Sequence, residues 1–311
     1  MMSRETCMDR WRPLVPLILA TLALTALLTM YTIRQTDSSA DGDREDGLLI
    51  VVSFPNLKNE VSQLLCSDDK IYVISSSSVD PHEYQLTIDD IEHVKKADLV
   101  ITLGHASFEI KLRSLVGKDK LLEIPSIKGM RLLINPDTGV ANPHMIIYDP
   151  HNYVLFLKEV AARLAALRPS CSSHYLGQAS MLEAEVEKLI NNAPRVHVKA
   201  VASLPYIQYA VNWLGIDVVK LLSKEHGVPV SPDDIEQVRK LMKNKLITVA
   251  AIAVLNDNPA TRTDARLLEL AKEYDMPVLR VPSPYAPGTI PEKLKQLVEE
   301  IKVLVKILQT K

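Results

Sequence analysis

Three histidines lie after predicted β-strands, where they could bind a metal ion together. His82 follows the second predicted strand, His105 follows the third, and His144 lies beyond the fourth. Because ligands of open α/β sheets bind at the carboxyl ends of the strands, we expect the three imidazoles to meet at one rim of one lobe. Their nitrogen atoms suit a borderline ion such as Zn²⁺, whereas Mn²⁺ needs more oxygen ligands.

Further candidate ligands lie on loops in the second half of the chain. Glu225 and His226 follow the second predicted strand of that half, and Asp257 follows the third. Any of these residues could instead be a solvated loop residue, and any single histidine could simply hydrogen-bond the backbone. Three other histidines are predicted to be structural, since they lie on helix faces or within a strand: His93, His174 and His197.

The predicted strands and helices that must position these side chains alternate along the sequence. Short β-rich runs alternate with helical patterns, which is typical of parallel sheets covered by helices. The predicted strands of the two halves lie at 48–54, 70–76, 98–103 and 121–124, and at 196–202, 217–222, 248–255 and 278–281. The body is therefore predicted to consist of two βα halves of similar size.

A helical stretch separates the two halves. Apolar residues keep helical spacing over 153–167, Pro169 ends that run, and Ser172 or Ser173 caps a second helix through Ile190. A helix of about 19 residues is nearly 30 Å long, enough to run along both lobes as a stiff connector. The predicted division is an N-terminal segment at 1–46, a first lobe at 47–167, a linking helix at 168–193 and a second lobe at 194–311.

The N-terminal segment has the features of a membrane anchor. No charged side chain lies between Arg12 and Arg34, and a span of about 20 apolar residues crosses a bilayer, whereas a signal-peptide core has about 7 to 15. Arginines precede the span and acidic residues follow it, which places the body outside the cell. We expect a single-pass anchor and a polar tether; a long cleaved signal is the alternative.

Composition narrows the class of protein. The 311 residues are 47% apolar and 24% charged, typical of a globular body, and the net charge of -2 gives no reason to expect a nucleic-acid partner. Cys66 and Cys171 are the only cysteines that could pair outside the membrane. A chain of this length does not need a disulfide for stability, so two unbonded cysteines buried as small apolar residues are favoured. A disulfide is the alternative.

Enzyme motifs are missing from the sequence. There is no Gly-x-Ser-x-Gly elbow, no glycine-rich dinucleotide motif, no phosphate-binding loop and no His-Glu-x-x-His helix. We therefore predict a protein that is not an enzyme. Two alternatives stay open: a hydrolase in which a metal on His82 and His144 activates water, and a receptor for a larger chelate or a partner protein.

Two motifs carry a resemblance to a known family. The run Asp80-Pro81-His82-Glu83-Tyr84, followed by 87–91 and 97–101, resembles the signature of the cluster A-I solute receptors of ABC importers, which bind zinc or manganese. Asn142-Pro143-His144 before Asp149-Pro150 is similar to that family's second histidine motif. The resemblance covers about 48–308. It implies two Rossmann-like lobes joined by a rigid helix, metal between the lobes, and a membrane permease and its ATPase as partners of a monomeric receptor.

The resemblance implies that His82 and His144 coordinate the metal. It also reveals departures, since His144 and Asp149 are one residue farther apart than is usual. Leu204 stands at the family's third ligand position, and the fourth falls near Pro282. Neither side chain can coordinate a metal.

The first lobe is therefore expected to supply most of the ligands. His105 is predicted to be the third donor, with Glu225, His226 or Asp257 closing over the ion from the second lobe. The expected cargo is Zn²⁺, with Mn²⁺ as the alternative.

Overall fold

The computed structural model describes residues 47–74, 84–225 and 228–310. The predicted anchor and tether, and the candidate ligands His82 and His226, lie outside these ranges. Within the described ranges, no helix is both long enough and apolar enough to cross a membrane.

The first lobe is built on a parallel four-stranded sheet. Its strands are β1 (Leu49–Val52), β2 (Lys70–Val73), β3 (Leu99–Thr102) and β4 (Leu121–Glu123), in the order β2-β1-β3-β4. The central strand β1 is apolar throughout, and β3 is apolar up to Thr102, because both faces of the sheet are covered. Strand β2 pairs with one edge of β1 and strand β3 with the other edge. Such a change in strand order opens a crevice for ligands at the carboxyl ends of the strands.

Three helices cover this sheet: α1 (Pro55–Ser62), α2 (Ile88–Lys96) and α3 (Ser107–Leu112). Thr87 caps α2, since its side chain accepts the N–H of Asp90 and the Asp90 carboxylate accepts the N–H of Thr87. This reciprocal capping box fixes where the helix begins.

The second lobe repeats the arrangement. Strands β5 (Val198–Ala202), β6 (Ile216–Leu221), β7 (Val249–Leu255) and β9 (Val278–Pro282) are parallel, and the two-residue strand β8 (Asn258–Pro259) pairs antiparallel with the end of β7. Its helices are α6 (Ile207–Asn212), α7 (Pro232–Lys243), α8 (Arg262–Glu273) and α9 (Ile290–Thr310). The predicted two-lobed α/β fold is confirmed.

Two long helices lie between the sheets in the chain. They are α4 (Pro150–Leu167) and α5 (Ser172–Asn192), which pack along each other, and α5 also contacts α9 of the second lobe. With 21 residues, α5 is about 30 Å long. The largest apolar cluster extends across both lobes, with Ile101 and Tyr148 from the first and Tyr209 and Val281 from the second.

Cys66 and Cys171 form a disulfide, with their Cα atoms 6.8 Å apart. The favoured prediction of two unbonded, buried cysteines is therefore wrong. Both residues are only half-buried, and polar contacts hold their segments together, since the Arg168 guanidinium pairs with the carboxylates of Asp68 and Asp69. The disulfide thus fastens the start of α5 to the loop after α1.

Candidate metal centre

The loop that carries His105 is fixed by a buried carboxylate. Glu109, on the first turn of α3, accepts the backbone N–H groups of Leu103 at 2.7 Å, His105 at 3.0 Å and Ala106 at 2.9 Å. Gly104 has a φ of 81°, a conformation that other residues rarely adopt. The end of β3 therefore holds His105 in one place without help from a ligand.

His144 lies between β4 and α4 and is 7% exposed. Its backbone N–H and its ring Nδ1 each lie 3.0 Å from Oδ1 of Asn142. The next residue, Met145, has a φ of 49°, a left-handed conformation that costs a non-glycine residue free energy. A short 3₁₀ turn over 146–148 follows, and Asp149 then caps α4. The five-residue step from His144 to Asp149 thus has a defined local structure.

Asn142 connects this loop to the second lobe. Its Nδ2 donates to the carbonyl oxygen of Pro205 at 2.9 Å and to Oε1 of Gln208 at 3.0 Å. The hydroxyl of Tyr209 donates to the backbone carbonyl of Asn142. Burial raises the pKa of Tyr209 to about 12, so this hydroxyl keeps its proton at neutral pH.

The segment 131–142, which leads to His144, is docked on the second lobe by charged contacts. Asp137 pairs with the Nζ of Lys220 and accepts the N–H of Leu221 at 2.7 Å. Lys220 is 5% exposed and also pairs with Asp234 at 2.9 Å. Burial opposes its charge, but hydrogen bonds with Asp137 and Asp234 raise the pKa of Lys220 above its ordinary value. The ammonium group therefore stays charged.

Three of the predicted ligands meet at the boundary of the lobes. The ring centroids of His105 and His144 are 5.0 Å apart. From the loop after β6, Oε2 of Glu225 approaches Nε2 of His144 to 2.9 Å, although the pair lacks the alignment of a hydrogen bond. The Glu225 side chain is 48% exposed, so the site has an open side.

The described residues do not complete a coordination shell. Across 47–74, 84–225 and 228–310, no three side chains of His, Cys, Asp or Glu converge closely enough to hold an ion. Two predicted ligands, His82 and His226, lie outside these ranges.

Asp257 occupies a different setting. It lies with Asn256 in the two-residue turn between β7 and β8, where both have positive φ values of 63° and 48°. Such turns favour Asn and Asp, because these residues tolerate the left-handed conformation. Asp257 is exposed, and the turn by itself accounts for its residue type.

The two positions at which the resemblance implies a third and a fourth ligand hold residues with structural contacts. Leu204 is 2% exposed, and the carbonyl oxygen of Pro282 accepts the hydroxyl of Tyr148. Two of the histidines predicted to be structural have local partners: His93 stacks on Tyr72 with ring centroids 3.8 Å apart, and the ring of His174 contacts the Leu65 carbonyl.

Sequence reasoning missed Asn142 and Gln208 as members of the site. For Asn142 a signal exists, since an Asn two residues before the N–H that it accepts is typical of an Asx turn. Gln208 lies on α6 and carries no local signal, because its partner is 66 positions away in the chain.

Comparisons with known proteins agree on one class. The family model ZnuA, described as zinc-uptake complex component A, periplasmic, matches residues 50–303. The metal ABC transporter substrate-binding lipoprotein ScbA of Streptococcus cristatus is 23% identical over 274 residues, which cover 81% of this chain and 84% of ScbA. The iron-binding protein YfeA of Yersinia pestis is 22% identical over 77% of this chain and 79% of its own.

A solved structure shares the fold. The solute-binding protein FpvC of Pseudomonas aeruginosa, in complex with Mn²⁺, has a TM-score of 0.67 at 17% identity and covers 82% of this chain and 97% of its own. The family consists of solute-binding proteins, so the prediction of a non-enzyme is confirmed and the hydrolase alternative has no support. Since the family model spans most of the chain, the chain belongs to the ZnuA family, that of the periplasmic component A of zinc-uptake complexes.

Proposed function

We propose that this protein is the extracytoplasmic receptor of an ABC importer and that it captures a divalent transition metal between its lobes. Two pairwise approaches carry the proposal: the rings of His105 and His144, from the first lobe, lie 5.0 Å apart, and Glu225 from the second lobe reaches Nε2 of His144 at 2.9 Å. The lobes would span 47–167 and 194–311, joined by 168–193. The ion is cargo, passed to a membrane permease and its ATPase.

The proposed ligand set begins with His82 and His144. His105 would be the third donor, and Glu225 would close the site from the second lobe, with His226 and Asp257 as further candidates. A receptor must release its cargo, and sites that exchange typically use three protein donors plus water. The exposed carboxylate of Glu225 suits a ligand that engages last.

The cargo proposed is Zn²⁺. A set dominated by imidazole nitrogens suits zinc, whereas Mn²⁺ favours carboxylate, carbonyl and water oxygens. Leu204 and Pro282 remove two positions at which oxygen ligands could have stood. One similar protein is named for iron and another was solved in complex with Mn²⁺. The test must therefore compare metals.

The test is titration calorimetry of the metal-free protein with Zn²⁺ and with Mn²⁺. We expect one ion per chain, tighter binding of Zn²⁺, and loss of binding in a His82→Ala, His144→Ala double variant. His93→Ala is the matched control, because that histidine lies on α2 and its ring stacks on Tyr72. Unchanged affinity in the double variant would show that these histidines do not hold the ion.

A further inference from the structure

The orientation of the Asn142 side-chain amide is fixed by the second lobe. Its Nδ2 faces two acceptors, the Pro205 carbonyl at 2.9 Å and Oε1 of Gln208 at 3.0 Å. Gln208 is itself oriented, because its Nε2 donates to the carbonyl oxygen of Ile134 at 2.8 Å. Rotating either amide by half a turn would set like groups against each other. Asn142 therefore presents its oxygen, and not its nitrogen, to His144.

An oxygen at that place decides which ring nitrogen carries the proton. Oδ1 of Asn142 lies 3.0 Å from Nδ1 of His144, and an acceptor at this distance requires a donor. In a neutral imidazole the other nitrogen then has the lone pair, which is the electron pair that a metal ion needs. Nε2, which lies 2.9 Å from Oε2 of Glu225, is thus the available ligand atom.

Glu225 competes with Asn142 for the imidazole proton. Its carboxylate approaches Nε2 without hydrogen-bond alignment, whereas Asn142 accepts at Nδ1. Without Asn142, the ring would be left facing the carboxylate, and the proton would move to Nε2. A proton on Nε2 blocks coordination by that atom.

We propose that Asn142 is a positioning residue that selects the metal-binding tautomer of His144, and that Gln208 of the second lobe holds Asn142 in that role. The proposal rests on the proposed function, in which His144 binds the ion. One consequence is coupling: an ion on Nε2 favours the tautomer that the Gln208 contact also favours. By linkage, metal binding must then strengthen the contact between the lobes at Asn142.

The expected effect on affinity follows from the behaviour of residues that support metal ligands. Replacing such partners typically costs about 10- to 100-fold in metal affinity. Asn142→Ala should show a loss in this range. Gln208→Met should show a smaller loss, because the Pro205 carbonyl still faces Nδ2 of Asn142 and favours the same amide orientation.

The test reads the tautomer directly in the metal-free full chain. Long-range proton–nitrogen NMR at about pH 8, where an ordinary histidine is neutral, distinguishes protonated from unprotonated ring nitrogens. The signals of His144 are those that disappear in His144→Ala. In the wild type we expect the proton on Nδ1. In Asn142→Ala it should lie mainly on Nε2, and Gln208→Met should shift it toward Nε2 by a smaller amount.

Control variants distinguish an effect on the His144 tautomer from a general loss of protein stability. Gln237→Met makes the same substitution at an exposed position on α7 and should change neither the tautomer nor zinc affinity. A wild-type ring protonated on Nε2, or a tautomer unaltered in both Asn142→Ala and Gln208→Met, would overturn the inference while leaving zinc binding by His144 intact. If His144→Ala binds Zn²⁺ as tightly as the wild type, the proposed function fails instead.

Discussion

A buried carboxylate contacts residues of both lobes, and it predicts a pH dependence of stability. Glu60 lies on α1 and is 1% exposed. Its carboxylate accepts the hydroxyl of Tyr153 at 2.8 Å and the N–H of Ile290, at the start of α9, at 2.9 Å. Burial raises the pKa of Glu60 from 4.5 to about 7, although these hydrogen bonds and the nearby Lys293 lower it.

The sign and the size of the effect follow from this shift. Because the pKa is raised in the folded state, folded protein keeps a proton between pH 4.5 and about 7 that unfolded protein has lost. Stability from this group is therefore complete below pH 4.5 and is lost as the pH rises through about 7. At about 1.4 kcal/mol per tenfold change, the loss amounts to roughly 3 kcal/mol.

The perturbation is Glu60→Gln, which cannot ionise. We would measure the free energy of unfolding in urea from about pH 4.5 to about pH 8 for wild type and variant. The wild type should lose roughly 3 kcal/mol relative to the variant over that range. Glu187→Gln, an exposed change on α5, should track the wild type.

A second variant examines the charge near Glu60. Lys293 is 1% exposed, and burial lowers its pKa although Glu60 raises it. Lys293→Met removes a positive charge that favours the ionised carboxylate, so the fall in stability should still begin near pH 4.5 but should continue to higher pH than in the wild type. A constant difference between wild type and Glu60→Gln across the whole range would refute the reasoning.

Two further predictions concern the disulfide and the N-terminus. The bond between Cys66 and Cys171 closes a loop of 105 residues, so replacing both cysteines with serine should reduce the free energy of unfolding by up to about 4.7 kcal/mol. Reductant should lower the free energy of unfolding in urea of the wild type but not of the variant. Equal free energies of unfolding for the oxidised wild type and the variant would contradict this expectation. The N-terminal segment is expected to stay attached, so mass spectrometry of protein extracted from native membranes should find residues before Arg34; a mature N-terminus near Asp41 would show cleavage.

Much of the fold could be predicted because its signals are local. The apolar runs of β1 and β3 and the caps at Thr87 and Ser231 are all encoded within a few neighbouring residues, and both caps are present. His105 and His144 both follow predicted strands, so the sequence also predicts that they lie at the same edge of the sheet. Their rings lie 5.0 Å apart.

The rest depends on contacts between distant parts of the chain. Gln208 and Glu225 reach His144 and its support from the second lobe, and no local pattern specifies such approaches. Cys66 and Cys171 pair because two folded segments place their Cα atoms 6.8 Å apart. Length alone argued against the bond, but length says nothing about geometry. His82 and His226 stay predictions.

The disulfide also determines which preparations of the protein can be compared. Cytosolic thiols are kept reduced, whereas disulfides persist outside the cell. Material produced in an ordinary cytoplasm would therefore carry Cys66 and Cys171 as two thiols, and thiolates are themselves good ligands for zinc. Such batches would take up metal at sulfur as well as at the proposed histidine ligands, and their metal content would exceed that of the oxidised protein. The free thiols of a preparation should therefore be counted before its metal stoichiometry is assigned.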